Sequence, residues 1–250
     1  FIDYVQVMYL PTILAGFASF GILFLIFRKK LSAPLGEEVE SAQIKDKFLL
    51  IAGLIALGGC TILLAISNYI GLEMYLITLV FALALIVVVL VYKALKRARP
   101  SELQTTLRRL PWDLIPFIIS MFVIVLALDK HGVTQYLGAV FSDSLPILKY
   151  GLSSFLMSNF INNIPMSVLF SSVTSYASDT IALPAVYASI IGSNLGAFLT
   201  PIGALAGMMW MGLLKSHEVK FTFLRFLKLG VLPSLIALGA ALFGLFIVLL

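Results

Sequence analysis

Apolar runs separated by short polar or basic connectors make up most of this chain. A helix needs about 20 apolar residues to cross the hydrocarbon core of a bilayer. The connectors are too polar to lie in that core, so the pattern predicts helices that enter and leave a membrane repeatedly. Runs near the required length lie at 7–27, 48–67, 72–92, 111–128 and 229–250.

One later stretch, 184–214, contains two apolar halves that are each too short to cross a bilayer alone. The residues between them, 192–203, include glycines, an asparagine and a proline. Together the halves reach the length of a crossing, which predicts a discontinuous helix with a break at mid-depth. Unwound backbone in a membrane is tolerated only where protein buries it or where it lines a cavity. Such interrupted segments therefore indicate the binding site of a transporter.

The preceding stretch, 146–177, also contains two short apolar arms, 146–159 and 165–177. The connection between them carries asparagines and a serine, without the charges that are common in exposed loops. This pattern predicts a re-entrant helical hairpin that enters and leaves the membrane on the same side. An external polar loop between two short surface helices is the alternative.

Composition agrees with a membrane protein. Of the 250 residues, 61% are hydrophobic and only 12% are charged, and the mean hydropathy is +1.08. A soluble domain of this size does not carry so much apolar sequence. The predicted fold is an all-α polytopic membrane protein with six membrane crossings, one re-entrant hairpin and one discontinuous helix.

The basic residues predict the orientation of these helices. If the three basic connectors lie in the cytoplasm, 15 of the 17 Lys and Arg residues are inside, and only Lys130 and Lys149 are outside. This bias is the one expected of cytoplasmic loops, and it requires the hairpin to return to the side from which it enters. Membrane orientation thus explains the net charge of +5 without a nucleic-acid partner.

The first and last apolar helices share a pattern. Residues 1–12 resemble residues 223–234, and both segments end in Leu-Pro followed by a hydroxyl residue. The charge argument gives the two helices opposite directions, as an inverted repeat predicts; chance likeness between apolar helices is the alternative. We therefore expect half of an inverted-repeat transporter, with 1–30 as the closing helix of a first repeat outside this chain, 31–47 as a cytoplasmic linker and 48–250 as the second repeat.

Candidate binding residues lie at the hairpin tip. Amide and hydroxyl groups both donate and accept hydrogen bonds, and without a partner each costs on the order of a few kcal/mol in an apolar environment. We expect these groups to face a polar ligand, an ion or the broken helix. The residues are Ser158, Asn159, Asn162 and Asn163, with Pro165 at the start of the returning arm.

The break in the discontinuous helix repeats this chemistry. Glycine permits close backbone approach, and proline prevents a continuous helix and leaves upstream carbonyls free. The helix end before the break suits a cation, and the helix start after it suits an anion or a neutral oxygen ligand. A kink with packing glycines is the alternative. The binding candidates are Ser193, Asn194, Gly196 and Thr200, and the structural ones are Gly192, Pro201 and Gly203.

Several kinds of chemistry lack residues in this sequence. No Asp, Glu or His lies deep in a predicted crossing, so the carboxylate relay expected of a proton-coupled carrier is absent. The single cysteine, Cys60, cannot build a multi-thiolate site. Phosphate-binding loops, metal-ligand clusters and nucleophile arrangements are absent as well. We therefore predict no enzyme activity, no cofactor and no metal site.

The motifs also resemble a known family. Residues 192–196 (Gly-Ser-Asn-Leu-Gly) and 200–206 (Thr-Pro-Ile-Gly-Ala-Leu-Ala) look like the second signature loop of ArsB-type arsenite permeases in the ion transporter superfamily. Residues 162–166 (Asn-Asn-Ile-Pro-Met) resemble the hairpin tip of those proteins. The resemblance covers essentially the whole chain, but only the C-terminal half of the family.

The resemblance implies a secondary active transporter of the cell (inner) membrane that extrudes arsenite or antimonite from the cytoplasm in exchange for protons. It also implies two inverted repeats that enclose one site, and a soluble ATPase subunit as a further partner. Several members carry an acidic residue where this chain has Asn194. Arsenous acid is an uncharged trihydroxide at neutral pH, so amide, hydroxyl and backbone groups are able to replace its hydration.

Two other functions are compatible with parts of the pattern. A sodium- or proton-coupled carrier of dicarboxylates or other anions, from the same superfamily, would use loop carbonyls as a sodium site. A non-transporting membrane scaffold subunit belongs to another class and predicts no polar residues at membrane depth. The polar hairpin tip and break argue against the scaffold.

Overall fold

The computed structural model describes residues 2–31, 46–99, 101–110, 112–141 and 145–250. Helices make up nearly all of these residues, and no strand occurs in the described ranges. The α-helices are α1 (Ile2–Leu31), α2 (Lys47–Ile70), α3 (Met74–Leu95), α4 (Ser101–Arg109), α5 (Leu114–Lys130), α6 (Val133–Phe141), α7 (Pro146–Ile161), α8 (Asn163–Thr174), α9 (Asp179–Gly196), α10 (Leu205–Ser216) and α11 (Phe223–Leu249), and a 3-10 helix covers Pro201–Gly203.

Several helices have the length and composition of membrane crossings, which confirms a multi-pass membrane protein. Helices α1, α2, α3 and α11 meet both requirements on their own. Helices α5 and α6 meet them only together, and a bend of 70° separates the two. The polar and apolar residues that follow the run 111–128 form the short helix α6. Six crossings, the membrane depth of the hairpin and the division into repeats stay predictions.

The chain divides into two compact units, residues 1–2 with 34–111 and residues 3–33 with 112–250. In the first unit, α2 and α3 form an antiparallel pair joined by Gly71, which adopts the left-handed conformation at φ 65°. Asp46 caps the start of α2, because its carboxylate accepts hydrogen bonds from the Phe48 and Leu49 N–H groups. The Tyr92 hydroxyl of α3 donates to the same carboxylate at 3.1 Å, so the cap also joins the two helices.

Helix α4 was not expected from the sequence, which indicated only a basic linker over residues 93–109. Leu103 and Leu107 lie four residues apart, so they share one face of a short helix whose other positions are mostly polar. The many basic residues of the linker made the helical spacing of these two leucines hard to recognise. The cytoplasmic linker predicted for 31–47 lies mostly outside the described residues.

The second unit is organised around the contact between α7 and α9. Gly192 and Gly196 lie on the contacting face of α9, where a Cβ on Gly192 would meet the Ser154 hydroxyl and one on Gly196 would meet the Ser158 hydroxyl. Small residues on both helices thus bring the two backbones together, as in many membrane helix pairs. We call this contact the α7–α9 seam. It is flanked by large buried side chains, including Tyr150, Phe155, Met166, Leu169 and Phe170.

Helices α7 and α9 run further than the sequence indicated, whereas α8 begins and ends earlier than the predicted second arm. Helices α7 and α8 are separated by Asn162 alone, and α9 continues to Gly196 with Pro184 inside it. Ser158 and Asn159 each donate a side-chain hydrogen bond to the Phe155 carbonyl of their own helix. Because this bond satisfies the polar side chain locally, these residues do not end the helix.

Candidate functional site

Asn162 forms the whole turn between the two hairpin arms. Its backbone lies at φ 68° and ψ 153°, a region that is essentially restricted to glycine. The side chain is 2% exposed. Its oxygen accepts a hydrogen bond from the Ile164 N–H at 3.3 Å, and its Nδ2 donates to the Ile202 carbonyl at 3.0 Å. A strained residue thus caps α8 and bonds to the break in the discontinuous helix.

Asn159 makes the second link between the hairpin and the break. Its Oδ1 accepts hydrogen bonds from the Thr200 hydroxyl at 2.8 Å and from the Thr200 N–H at 3.1 Å. Its Nδ2 donates to the Phe155 carbonyl at 2.9 Å, which fixes the orientation of the carboxamide. The half-buried Asn159 side chain therefore has a defined partner on both its oxygen and its nitrogen.

The break itself is short and combines turn, extended and 3-10 backbone. Thr200 and Ala204 have φ values of −134° and −147°, and the 3-10 turn Pro201–Gly203 lies between them. The Gly203 N–H donates to the Thr200 carbonyl at 3.1 Å. A Cβ on Gly203 would lie 2.8 Å from the Asn159 Oδ1, so a side chain there would collide with the hairpin. We call Asn159, Asn162, Thr200, Ile202 and Gly203 the tip–break junction.

Asn163 has an unsatisfied group beside this junction. It is the first residue of α8 and is half-buried, and its Oδ1 is buried without a hydrogen-bond partner among the described residues. Its backbone carbonyl accepts from the Ser167 hydroxyl at 2.8 Å. A buried acceptor without a partner costs about 1–3 kcal/mol. The Asn163 oxygen is therefore suited to a ligand that donates a hydrogen bond or carries positive charge.

The other predicted residues lie around the junction in different settings. Ser158 and Gly196 contact each other within the α7–α9 seam, where Gly192 also lies, and Pro165 is buried in the first turn of α8. Ser193 is buried and its hydroxyl donates to the Ile190 carbonyl at 3.2 Å. Pro201 is buried at the start of the 3-10 turn.

Asn194 lies on a different face of α9 from the seam. It is exposed and lines a cavity of about 370 Å³ together with residues of α1 that include Tyr4, Thr12 and Ser19. The structure therefore brings Asn159, Asn162 and Thr200 together and places Asn194 in a separate cavity.

The sequence did not identify the backbone groups that complete the junction. The Ile202 carbonyl and the Thr200 N–H both bond to hairpin carboxamides. The proline at position 201 indicated free backbone groups nearby. The apolar side chain of Ile202 does not indicate that its backbone carbonyl makes a polar contact. The described groups of the junction are all uncharged, so they suit a neutral ligand or a cation.

Comparisons with known proteins agree with this arrangement of motifs. The family model described as arsenical pump membrane protein, ArsB, matches residues 1–249. A protein of Yersinia enterocolitica named arsenical pump membrane protein is 30% identical over 94% of this chain and 56% of its own length. The protein of that name from Escherichia coli K12 is 28% identical with the same coverage.

A more distant relative, the P protein of Mus musculus, is 26% identical over 81% of this chain and 26% of its own length. No solved structure matches the chain. The chain spans a little over half the length of the arsenical pump relatives it matches, at 56%. Because the family model covers nearly every residue, the chain belongs to the ArsB family of arsenical pump membrane proteins.

Proposed function

We propose that the chain forms part of a secondary active transporter that extrudes arsenite or antimonite from the cytoplasm in exchange for protons. The observation that carries the proposal is the tip–break junction. Two hairpin carboxamides there bond to Thr200 and to the Ile202 carbonyl, next to the buried and unpartnered Asn163 oxygen. The relative from Yersinia enterocolitica is named arsenical pump membrane protein.

The chemistry of the junction supports an uncharged substrate. Arsenous acid carries three hydroxyl groups and no charge at neutral pH, so it needs hydrogen-bond partners and no counter-charge. Amide oxygens, threonine hydroxyls and backbone carbonyls supply such partners, and the described junction residues carry no charge. An anion would lack a positive partner at this place.

The contacts within the junction also support a role in opening and closing the site. The oxygen and nitrogen atoms of the Asn159 and Asn162 side chains are already hydrogen-bonded to the break or to the hairpin helices. A substrate that donates hydrogen bonds would bind the Asn163 oxygen and compete with Thr200 for the Asn159 oxygen. Substrate binding and the separation of hairpin from break are thus coupled in this proposal.

The test uses the whole transporter in everted membrane vesicles, with arsenite accumulation as the readout. The variant Asn163→Ala is expected to abolish accumulation while leaving the amount of protein in the membrane unchanged, because it removes the unpartnered acceptor beside the junction. Ser175→Ala is the control, because this exposed hydroxyl bonds only to the Ser172 carbonyl of its own helix. Unchanged accumulation in Asn163→Ala would overturn the site, and sodium-dependent dicarboxylate uptake by the unaltered protein would overturn the substrate.

A further inference from the structure

Helices α8 and α9 enclose a cleft that is separate from the tip–break junction and unusually rich in hydroxyl groups. The cavity has a volume of about 230 Å³, which is enough for several water molecules or a small solute. We call it the α8–α9 cleft. Its hydroxyl-bearing lining residues are Ser167, Ser171 and Thr174 on α8 and Ser189 and Ser193 on α9.

Helical spacing explains how these hydroxyls come to face each other. Ser167, Ser171 and Thr174 follow an i, i+4, i+7 pattern, and Ser189 and Ser193 lie four residues apart. Each pattern places its members on one face of a helix. The two rows therefore form opposite walls of the cleft, with apolar residues such as Phe170 and Ile190 between them.

The hydrogen bonds of the hydroxyls determine what the cleft offers to a ligand. The Ser167, Thr174, Ser189 and Ser193 hydroxyls each donate to a backbone carbonyl of their own helix, at distances between 2.7 and 3.2 Å. With the hydrogen used in this way, a hydroxyl oxygen retains only its lone pairs. The polar groups of the otherwise apolar walls are thus predominantly acceptors, and the described lining residues carry no charge.

The unpartnered Asn163 oxygen is a second and independent acceptor near one end of the cleft. Asn163 lies one helical turn before Ser167, and its backbone carbonyl receives the Ser167 hydroxyl. Its Oδ1 is buried without a partner among the described residues. This acceptor lies outside the lining of the cleft, one helical turn along α8 towards the tip–break junction.

We propose that the α8–α9 cleft is a binding site for small uncharged trihydroxides and that it discriminates against their anions. A neutral trihydroxide donates several hydrogen bonds, which acceptor-lined walls satisfy. An oxyanion brings negative charge and acceptors of its own, so it would lose its hydration without gaining a partner. The inference rests on the proposed transport of arsenite, and it adds a second binding position with a stated charge selectivity.

The first experiment measures the charge selectivity without transport. In the whole transporter with Cys60 replaced by serine, Ser167→Cys and Ser171→Cys place a thiol in the cleft, and both positions are exposed. Ser175→Cys is the matched control, since Ser175 is also exposed on the same helical segment but does not line the cleft. Each variant is treated with a small cationic or a small anionic methanethiosulfonate reagent.

The measured quantity is the ratio of the modification rate with the cationic reagent to that with the anionic reagent. We expect this ratio to be about tenfold higher for the two cleft thiols than for Ser175→Cys, which corresponds to 1.4 kcal/mol. Boric acid, a neutral trihydroxide, should slow modification only at the two cleft positions. Equal preference at all three positions, or no protection by boric acid, would overturn the inference. Failure of both reagents to reach either cleft thiol would also overturn it, because the ligand needs an aqueous route.

The second experiment measures transport, and it separates this inference from the proposed function. Ser171→Ala combined with Ser193→Ala should raise the KM for arsenite roughly two- to tenfold for each lost hydrogen bond. Ser175→Ala should leave the KM unchanged. If the unaltered protein moves no arsenite but boric acid still protects the cleft thiols, the proposed function fails and the binding site stands. If arsenite transport is normal in the double variant, the cleft assignment fails and the proposed function stands.

Discussion

The side-chain oxygen of Asn159 accepts hydrogen bonds from both the hydroxyl and the backbone N–H of Thr200, at 2.8 and 3.1 Å. Asn159 belongs to the first hairpin arm, and Thr200 belongs to the break 41 residues later in the chain. One carboxamide thus holds the extended backbone of the break against a helix. Glutamine or serine in place of Asn159 would change the reach of this group, so the geometry depends on an asparagine.

Replacing Asn159 by alanine removes both contacts with Thr200 and the bond to the Phe155 carbonyl. We expect Asn159→Ala to lower the stability of the second unit by about 1–3 kcal/mol, because the half-buried N–H and hydroxyl of Thr200 lose their acceptor. Thermal unfolding of the purified transporter in detergent measures the effect. Asn68→Ala is the control, since Asn68 is exposed at the end of α2. Equal melting temperatures for the two variants would contradict the role of Asn159.

Two substitutions at Asn162 separate its backbone strain from its side-chain bonds. Both Asn162→Gly and Asn162→Ala lose the bonds to Ile164 and Ile202. Glycine adopts φ 68° and ψ 153° without strain, whereas alanine does not. We expect Asn162→Ala to be less stable than Asn162→Gly by about 1–3 kcal/mol. Denaturant or thermal unfolding of the two variants measures this difference, and an alanine variant as stable as the glycine variant would contradict it.

The α7–α9 seam has no room for a methyl group at Gly196. A Cβ there would collide with the Ser158 hydroxyl and the Phe155 carbonyl, and the backbone carbonyl cannot rotate away. We therefore expect Gly196→Ala to lower the free energy of unfolding by about 1–3 kcal/mol, as overpacking does in protein cores. Thermal unfolding and the yield of folded protein are the measurements.

Gly239→Ala is the matched control for the seam, because a Cβ on Gly239 in α11 meets no atom within 4 Å. The added helix propensity should leave that variant as stable as the parent or slightly more stable. If Gly196→Ala and Gly239→Ala have the same melting temperature, close packing of the seam is not needed for stability.

The Asp46 cap gives the pairing of α2 and α3 a dependence on pH. Burial pushes the pKa of the Asp46 carboxyl upward, but hydrogen bonds from the Leu49 N–H and the Tyr92 hydroxyl outweigh it and hold the pKa below its ordinary value. A lowered pKa in the folded state means that the ionised carboxylate stabilises the fold above the unfolded-state pKa of about 3.9. That contribution is lost as the pH falls through the folded-state value.

We expect Asp46→Asn to be less stable than the parent protein at neutral pH. The difference should shrink as the pH falls below about 4, because the parent carboxyl is then protonated as well. Thermal unfolding of both proteins across this pH range is the measurement. Glu73→Gln is the control, since Glu73 is at the start of α3 but makes no side-chain cap bond. A stability difference for Asp46→Asn that does not change with pH would contradict the role of the charge.

Much of this arrangement was predictable from the sequence, and the exceptions have physical causes. Apolar runs located the long helices, and the Asn-rich and Gly/Pro-rich stretches indicated the hairpin and the break that the structure joins through Asn159 and Asn162. Helix α7 continues to Ile161 beyond the predicted end of the first arm at residue 159, because the Ser158 hydroxyl and the Asn159 Nδ2 both bond to a carbonyl within α7. Composition does not distinguish such a residue from one that ends a helix.

The direction in which individual side chains point could not be predicted from the sequence. Gly192, Ser193 and Asn194 are consecutive, yet they face the seam, the α8–α9 cleft and the cavity beside α1 respectively. Adjacent positions on a helix are separated by about 100° of rotation, so they contact different neighbours. The packing of α9 against α7, α8 and α1 determines which helix each of these three residues contacts.

The α7–α9 seam has a consequence for how the protein moves. Two helices whose backbones touch through glycine and serine cannot slide past each other without collisions at Gly192 and Gly196. If the protein moves as the proposed transport function requires, α7 and α9 would therefore travel together as one rigid body. Spectroscopic labels placed on α7 and α9 would then keep a constant separation with and without arsenite, and any displacement would occur at the break, residues 197–204.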